Sequence, residues 1–124
     1  MSLQPEQRKY PRLNLTGQDY AISFQIHGME VRDCRLVNLS QGGCGLEVQL
    51  AMARNIELGD ILEAIYLDHP DLPFLPLSGV VLRMLGKVPG KTSGYVLMGV
   101  EFQEITPFVA TLIGKHVETQ LAEE

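Results

Sequence analysis

Short segments of alternating apolar and polar residues, separated by glycine, proline and polar turn residues, fill the middle of this chain of 124 residues. Apolar side chains at every second position are typical of a β-strand with one buried face. The pattern predicts six strands, at residues 20–26, 31–39, 44–50, 61–68, 77–85 and 94–103. Because exposed strand edges favour aggregation, we expect these strands to close into a small antiparallel barrel.

One helical segment follows the strands. Thr106 is a suitable N-cap, Pro107 suits the first helical position, and apolar residues then recur at helical spacing as far as Leu121. The sequence therefore predicts a mainly β domain, a six-stranded antiparallel β-barrel with a C-terminal α-helix. We expect one domain over 1–124, with an N-terminal arm at 1–13, the barrel at 14–105 and the helix at 106–122. Residues 51–60 suit either a short helical turn or a covering loop, and we favour the loop.

Composition narrows the classes of ligand. The chain carries a net charge of −5, which argues against a polymeric nucleic acid or an anionic membrane as its partner. The basic residues are unevenly placed, because Arg8, Lys9 and Arg12 supply three of the ten lysines and arginines within the predicted arm. A local basic patch on an acidic protein suits a small anionic ligand.

Cysteine usage and hydropathy point to the cytoplasm. Cys34 and Cys44 form no C-x-x-C pair, and no apolar signal segment precedes the basic cluster. Every apolar run is far shorter than the roughly 20 residues needed to span a bilayer, so we expect no membrane insertion. The sequence thus predicts a reduced, cytoplasmic protein.

Two short motifs carry the predicted chemistry. The first is Arg8-Lys9-Tyr10-Pro11-Arg12, and the second is Asn38-Leu39-Ser40-Gln41-Gly42-Gly43. An arginine guanidinium can bond the O6 and N7 edge of guanine, neutralise a phosphate or stack on a base. In the second motif, small polar side chains add hydrogen bonds, and glycine lets the backbone approach a phosphate closely.

The R-x-x-x-R and N-x-S-x-x-G spacings, in this order, resemble the PilZ family of cyclic-di-GMP receptors. The first motif falls on Arg8 and Arg12, and the second falls on Asn38, Ser40 and Gly43. Residues 94–102 resemble the late strand of the family, and 80–83 resemble the strand before it. The resemblance covers most of the chain and implies the same barrel fold.

The resemblance also implies a ligand and its site. We expect cyclic-di-GMP as the ligand, without a further cofactor, at a site formed by Arg8, Lys9, Arg12, Asn38, Ser40, Gly42 and Gly43. Gln7 stands where some members have another arginine, which leaves one or two bound ligands open. Asn38 replaces the commoner aspartate and offers a neutral, weaker acceptor, so a modest affinity is expected.

Other chemistries have less support. The soft metal-ligand types are Cys34, Cys44, His27, His69 and His116, and none are spaced as zinc sites require. A Cys-His nucleophilic pair stays open, although Cys44 is expected to be a buried structural thiol and no enzyme activity is expected. His116, near the end of the helix, is expected to stabilise the helix dipole as a cation.

We therefore expect a binding switch, in which cyclic-di-GMP draws the arm onto the barrel and changes the surface that an effector protein meets. The family suggests control of motility, biofilm or polysaccharide output. The alternative is a PilZ-like adaptor that binds its partner without the ligand. A single-strand nucleic-acid binder is disfavoured because residues 57–68 are acidic. A monomer or a weak homodimer is expected.

Overall fold

A computed structural model describes residues 10–86 and 94–123. Its elements, in chain order, are β1 (Arg12–Asn14), β2 (Ala21–Ile26), β3 (Met29–Ser40), β4 (Gly43–Gln49), α1 (Leu50–Ala53), β5 (Ile61–Asp68), β6 (Leu77–Leu85), β7 (Tyr95–Gln103) and α2 (Pro107–Ala122).

Six of the strands form a closed ring. Hydrogen-bonded neighbours run from β3 through β2, β5, β6, β7 and β4, and β4 pairs with β3 again. Every pair is antiparallel. This confirms the predicted six-stranded antiparallel barrel with a C-terminal helix.

A short seventh strand lies outside the ring. β3 is 12 residues long and extends beyond the end of β2, so its last residues have backbone groups free for another strand. β1 pairs there, with Arg12 opposite Ser40 and Asn14 opposite Asn38. The strand begins inside the segment predicted as an extended arm, because Leu13 and Leu15 are buried in the core. β1 therefore overlaps the end of the segment 1–13 predicted as the arm, and it packs against the barrel without joining the ring.

The turn between β2 and β3 has the geometry of a tight hairpin. His27 and Gly28 both have positive φ angles, of 50° and 76°. Two such residues in a two-residue connection match the right-handed twist of the flanking strands. These two residues form the tight connection between β2 and β3.

The core is apolar and includes α1. Alternate residues of the strands point inward, among them Ile22, Phe24 and Ile26 of β2. The prediction of a loop over 51–60 was wrong at its start, because α1 forms a helical turn over Leu50–Ala53. Its first and last residues are both buried, so the turn covers apolar core that a solvated loop would leave open.

The terminal helix forms as predicted. The hydroxyl oxygen of Thr106 accepts a hydrogen bond from the Val109 N–H at 3.3 Å, which satisfies one free donor of the first turn. Val109, Ile113 and Val117 face the barrel and are buried, and α2 contacts β1 and β3. Within the described ranges, no helix is long and apolar enough to cross a membrane.

Candidate ligand-binding site

Strand register places the first motif beside the second. Arg12 of β1 lies opposite Ser40 of β3, Ser40 lies opposite Gly43 of β4, and Gly43 lies opposite Glu101 of β7. Residues directly opposite one another on antiparallel strands have their side chains on the same face of the sheet. These four residues therefore form one row across the outside of the barrel.

A second row lies two residues further along the strands. Asn38 of β3 is opposite Gly45 of β4, which is opposite Gly99 of β7, which is opposite Arg83 of β6. A Cβ at Gly45 would lie 2.5 Å from Asn38 Nδ2, so the Asn38 amide rests directly on this glycine. A Cβ at Gly99 would lie 3.3 Å from the Arg83 Cβ. Glycine thus leaves a flat floor between Asn38 and Arg83.

A cavity of about 530 Å³ lies over these two rows. Its lining residues come from the segment before β1, from β1, β3, β4, β6 and β7, and from the turn between β3 and β4: Tyr10, Arg12, Asn38, Ser40, Gly42, Gly43, Cys44, Gly45, Leu82, Arg83, Leu85, Leu97, Met98, Gly99, Val100 and Glu101. The cavity is partly open to solvent, as suits a ligand that arrives from there.

Most residues predicted to bind the ligand line this cavity. The described ones are Arg12, Asn38, Ser40, Gly42 and Gly43. The other two predicted residues, Arg8 and Lys9, lie outside the described residues. The described residues of the first motif therefore meet the second motif on one face of the barrel.

Ser40 holds the turn of the second motif in place. Its hydroxyl oxygen accepts from the Gly42 N–H at 3.3 Å, and its O–H donates to the Gly43 carbonyl oxygen at 3.4 Å. Neither Gln41 nor Gly42 has a positive φ, so the serine hydroxyl, and not a left-handed backbone, fixes this hairpin. The fixed turn keeps its surface available at the cavity edge.

Tyr10 joins the two motifs physically. A Cβ at Gly42 would lie 3.1 Å from the Tyr10 ring, so the ring packs on the bare backbone of the turn. Tyr10 sits in the middle of the arginine motif, and its contact orders the chain just before β1. Tyr10 thus supports the turn of the second motif by packing.

The glycines of the second motif supply space and not unusual backbone angles. Gly42, Gly43 and Gly45 all lack a left-handed φ. A Cβ at Gly43 would overlap the carbonyl oxygen of Val100 on β7 and lie 3.2 Å from the Glu101 Cα. Strands β4 and β7 can approach this closely only because Gly43 has no side chain.

The turn also contacts the terminal helix. A Cβ at Gly114 of α2 would lie 2.5 Å from Gln41 Oε1, so the Gln41 side chain packs into the space that this helical glycine leaves. α2 contacts β1 as well. One helix therefore touches elements that carry both motifs.

The chain belongs to the PilZ domain family. The family model described as the PilZ domain matches residues 6–118. None of the curated proteins matches this chain. Members of this family share the barrel and helix described above, and the solved structures below have the same fold.

Solved structures similar to this PilZ domain include three of note. The K. pneumonia MrkH complex with c-di-GMP is 18% identical with a TM-score of 0.77, over 95% of this chain and 54% of that one. The PilZ domain of Escherichia coli YcgR with c-di-GMP is 14% identical with a TM-score of 0.73, over 95% and 94%. The Bacillus subtilis inhibitor of motility MotI/DgrA is 18% identical with a TM-score of 0.72, over 96% and 53%. The chain spans about half the length of MrkH and MotI/DgrA.

Two charged residues of the cavity were not predicted, namely Arg83 on β6 and Glu101 on β7. Arg83 faces Asn38 across the glycine floor, so the cavity has cationic groups at two edges, Arg12 and Arg83. Leu82 and Leu85 beside it are 57% and 54% exposed, which gives this edge an apolar surface on which a flat ring can lie. The sequence signal for both residues was a charged side chain within a predicted strand. Which face of the sheet such a side chain occupies depends on the strand register.

The cysteine thiols are buried and poor nucleophiles. Burial raises the pKa of Cys44 to about 12. Burial, with a smaller effect from Asp33, raises the pKa of Cys34 to about 11. Both thiols are free and stay protonated at neutral pH. Within the part of the chain that the structure describes, no three His, Cys, Asp or Glu side chains are grouped as a metal site would need.

His116 has a different role from the one that its helix position suggested. Its Nε2 lies 2.7 Å from the Tyr20 hydroxyl, and both residues are buried. The His69 ring stacks on Tyr20 with centroids 3.9 Å apart. Burial lowers the pKa of His116, and nearby His69 lowers it further while Asp71 opposes the shift. The prediction of a helix-capping cation was wrong, because the neutral imidazole is favoured in this cluster.

Proposed function

We propose that this PilZ domain is a cyclic-di-GMP receptor, a binding module without catalytic turnover. The observation that carries the proposal is the convergence of Arg12 with Asn38 and Ser40 around a glycine-floored cavity. Structures of the same fold, MrkH and the YcgR PilZ domain, were solved with c-di-GMP. A cavity of about 530 Å³ is within the range of small-molecule sites.

The cavity offers each part of a cyclic dinucleotide a suitable partner. The Arg12 guanidinium suits guanine O6 and N7 or a phosphate, and Arg8 and Lys9 would add cationic groups from the arm. The Asn38 carbonyl accepts from base N–H groups. Gly43 and its neighbours let a ring or a phosphate approach the backbone without steric conflict.

Binding becomes a signal if the ligand favours one arrangement of the N-terminal arm. A ligand shifts such an equilibrium only when it binds one arrangement more tightly, and Arg8 and Lys9 provide that difference if they contact the ligand only when the arm lies on the barrel. The ordered arm then presents a changed surface to an effector protein in the cytoplasm. Control of motility, biofilm or polysaccharide output is the corresponding cellular role.

Titration calorimetry with cyclic-di-GMP tests the proposal. We expect binding by the wild type, and each of Arg8→Ala and Arg12→Ala should weaken it by about 1 to 3 kcal/mol because each removes a charge-assisted contact. Arg35→Ala is the matched control. Arg35 lies on β3, outside the cavity, in an exposed ion pair of 3.8 Å with Glu47 whose contribution to stability is small.

The outcomes separate the receptor from the ligand-independent adaptor. Absence of heat and of a thermal shift at tens of micromolar cyclic-di-GMP would remove the receptor function. Partner capture that is unchanged by the ligand would favour the adaptor. Equal losses in Arg12→Ala and Arg35→Ala would show a general charge effect in place of a site.

A further inference from the structure

Glu101 is the single acidic residue among the described residues that line the cavity. It lies on β7 in the same row as Gly43, Ser40 and Arg12, with its side chain on the outer face and exposed. Gly43, its direct neighbour across the strand pair, has no side chain that would shield the carboxylate. A full negative charge therefore borders a site proposed to hold a ligand with two phosphates.

A carboxylate in an anion site is unfavourable unless the ligand gives it hydrogen-bond donors. Guanine does so, because its N1–H and N2–H₂ groups lie side by side and match the two oxygens of a carboxylate. Adenine has an acceptor at N1 and its amino group elsewhere on the ring. Asn38 has one carbonyl oxygen and an NH₂ group, so it cannot present two acceptors to that edge.

We propose that Glu101 selects guanine, its two carboxylate oxygens accepting from guanine N1–H and N2–H. This inference rests on the proposed function and assigns the base specificity of that site to a residue outside the two motifs. The ligand then meets a cation at one end of the row, Arg12, and an acceptor at the other. Three strand spacings separate these two residues, roughly 14 Å between backbones.

Gln103 positions the carboxylate. Its Nε2 donates to Glu101 Oε1 at 3.1 Å from two residues further along the same strand. Since two carboxylate oxygens provide about four acceptor positions, this bond leaves Oε2 and part of Oε1 for a ligand. The bond also restricts the rotamers of Glu101 and reduces the entropy that is lost when the base binds.

The test compares three ligands on two proteins. Wild type and Glu101→Gln are titrated with cyclic-di-GMP, with its di-inosine analogue that lacks the 2-amino groups, and with cyclic-di-AMP. Glu101→Gln should weaken cyclic-di-GMP about tenfold or more, since a charged acceptor pair becomes one neutral acceptor. Removal of the 2-amino group should weaken binding to the wild type more than binding to Glu101→Gln.

The control is Glu47→Gln, which removes the same charge from a residue of β4 that does not line the cavity. It should leave all three affinities nearly unchanged. The sign of the Glu101→Gln effect is decisive, because a carboxylate that only repels phosphates would give tighter binding when neutralised. Thermal melts of both variants verify folding.

Two results would overturn the inference while the proposed function stands. One is cyclic-di-GMP binding that is unchanged or tighter in Glu101→Gln, and the other is an equal penalty for the inosine analogue in both proteins. If the wild type binds none of the three ligands, the proposed function itself fails and Glu101 has no base to select. The wild-type titration alone therefore distinguishes the two failures.

Discussion

Two polar regions of this barrel are built in opposite ways. The cavity over β3, β4, β6 and β7 presents polar and charged side chains outward above glycines. In the cluster of Tyr20, His69 and His116, Tyr20 and His116 are buried, with 5% and 8% exposed, and His69 covers them as a half-buried ring. The Tyr20 hydroxyl and His116 Nε2 form a hydrogen bond of 2.7 Å, and His69 Nδ1 accepts from the Asp71 N–H at 3.1 Å.

The difference separates stability from binding. Buried polar groups must find partners within the fold, and the histidine cluster meets that requirement. The cavity instead has glycines where larger side chains could stand, and its charged groups lie at the surface. Three predictions test whether the histidine cluster serves only stability and the cavity serves only binding.

The largest effect is expected from Gly43→Ala. Its Cβ would overlap the Val100 carbonyl oxygen, and backbone atoms of a paired strand cannot move aside as a flexible side chain can. We expect the free energy of unfolding to fall by about 3 kcal/mol, at the upper end of typical overpacking costs. Urea unfolding measures this loss of stability. If the loss is observed, Gly43 serves the stability of the barrel as well as the access of the ligand.

Gly42→Ala is the matched control. Its Cβ would lie 3.1 Å from the Tyr10 ring, a side chain that can shift by a few tenths of an ångström. The loss of stability should therefore be clearly smaller than for Gly43→Ala. If both variants are as stable as the wild type and differ only in ligand affinity, the floor is a binding feature alone.

The next effect concerns the buried cluster. Tyr20→Phe leaves His116 Nε2 buried without its partner, which should lower the free energy of unfolding by about 1 to 3 kcal/mol. Adding His116→Leu should recover part of the loss, because replacing both partners by apolar groups avoids the unpaired atom. Chemical unfolding of the two single variants and the double variant measures their coupling.

Tyr66→Phe controls for the loss of a tyrosine hydroxyl elsewhere on the barrel. Tyr66 is half-buried and packs its ring against Phe74, with centroids 4.7 Å apart, and the phenylalanine ring retains that contact. Its effect should be small. Additive losses for Tyr20→Phe and His116→Leu would contradict the buried hydrogen bond as the source of stability.

The sequence was informative where local chemistry decides the structure. Alternation identified the six barrel strands, and Thr106 with Pro107 identified the start of α2. The motif residues were recognised because their types and spacing together resemble the PilZ family. α1 was missed because Leu50 and Ala53 form a helical turn to cover the core, a tertiary effect that propensity does not report.

Arg83 shows why the rest of the cavity was not predictable. Leu77, Gly79 and Val81 are buried, so strict alternation would place Arg83 inside the barrel. The register between β6 and β7 shifts between Val81 and Arg83, and the extra residue turns Arg83 outward. The bond between Tyr20 and His116 links residues 96 positions apart, and no local pattern encodes such a pairing.

The smallest effect is a dependence of stability on pH that belongs to the buried cluster alone. Burial and the neighbouring His69 lower the pKa of His116 in the folded protein, while Asp71 and the Tyr20 hydroxyl also face the ring. In the unfolded chain the pKa of a histidine is about 6.5. Below that pH the unfolded state binds a proton that His116 in the folded state binds only at lower pH. The free energy of unfolding should therefore be highest above neutral pH. It should fall as the pH drops through the pKa of the unfolded histidine, by at most about 1.4 kcal/mol per pH unit for one proton.

Urea unfolding between neutral pH and mildly acidic pH measures this slope. His116→Gln, which keeps a polar side chain but does not titrate, should flatten it. A flattened slope in His116→Gln assigns the acid sensitivity to the cluster of Tyr20, His69 and His116, whereas equal slopes in both proteins would mean that the burial of His116 carries no titration cost and that the two polar regions differ less than their geometry indicates.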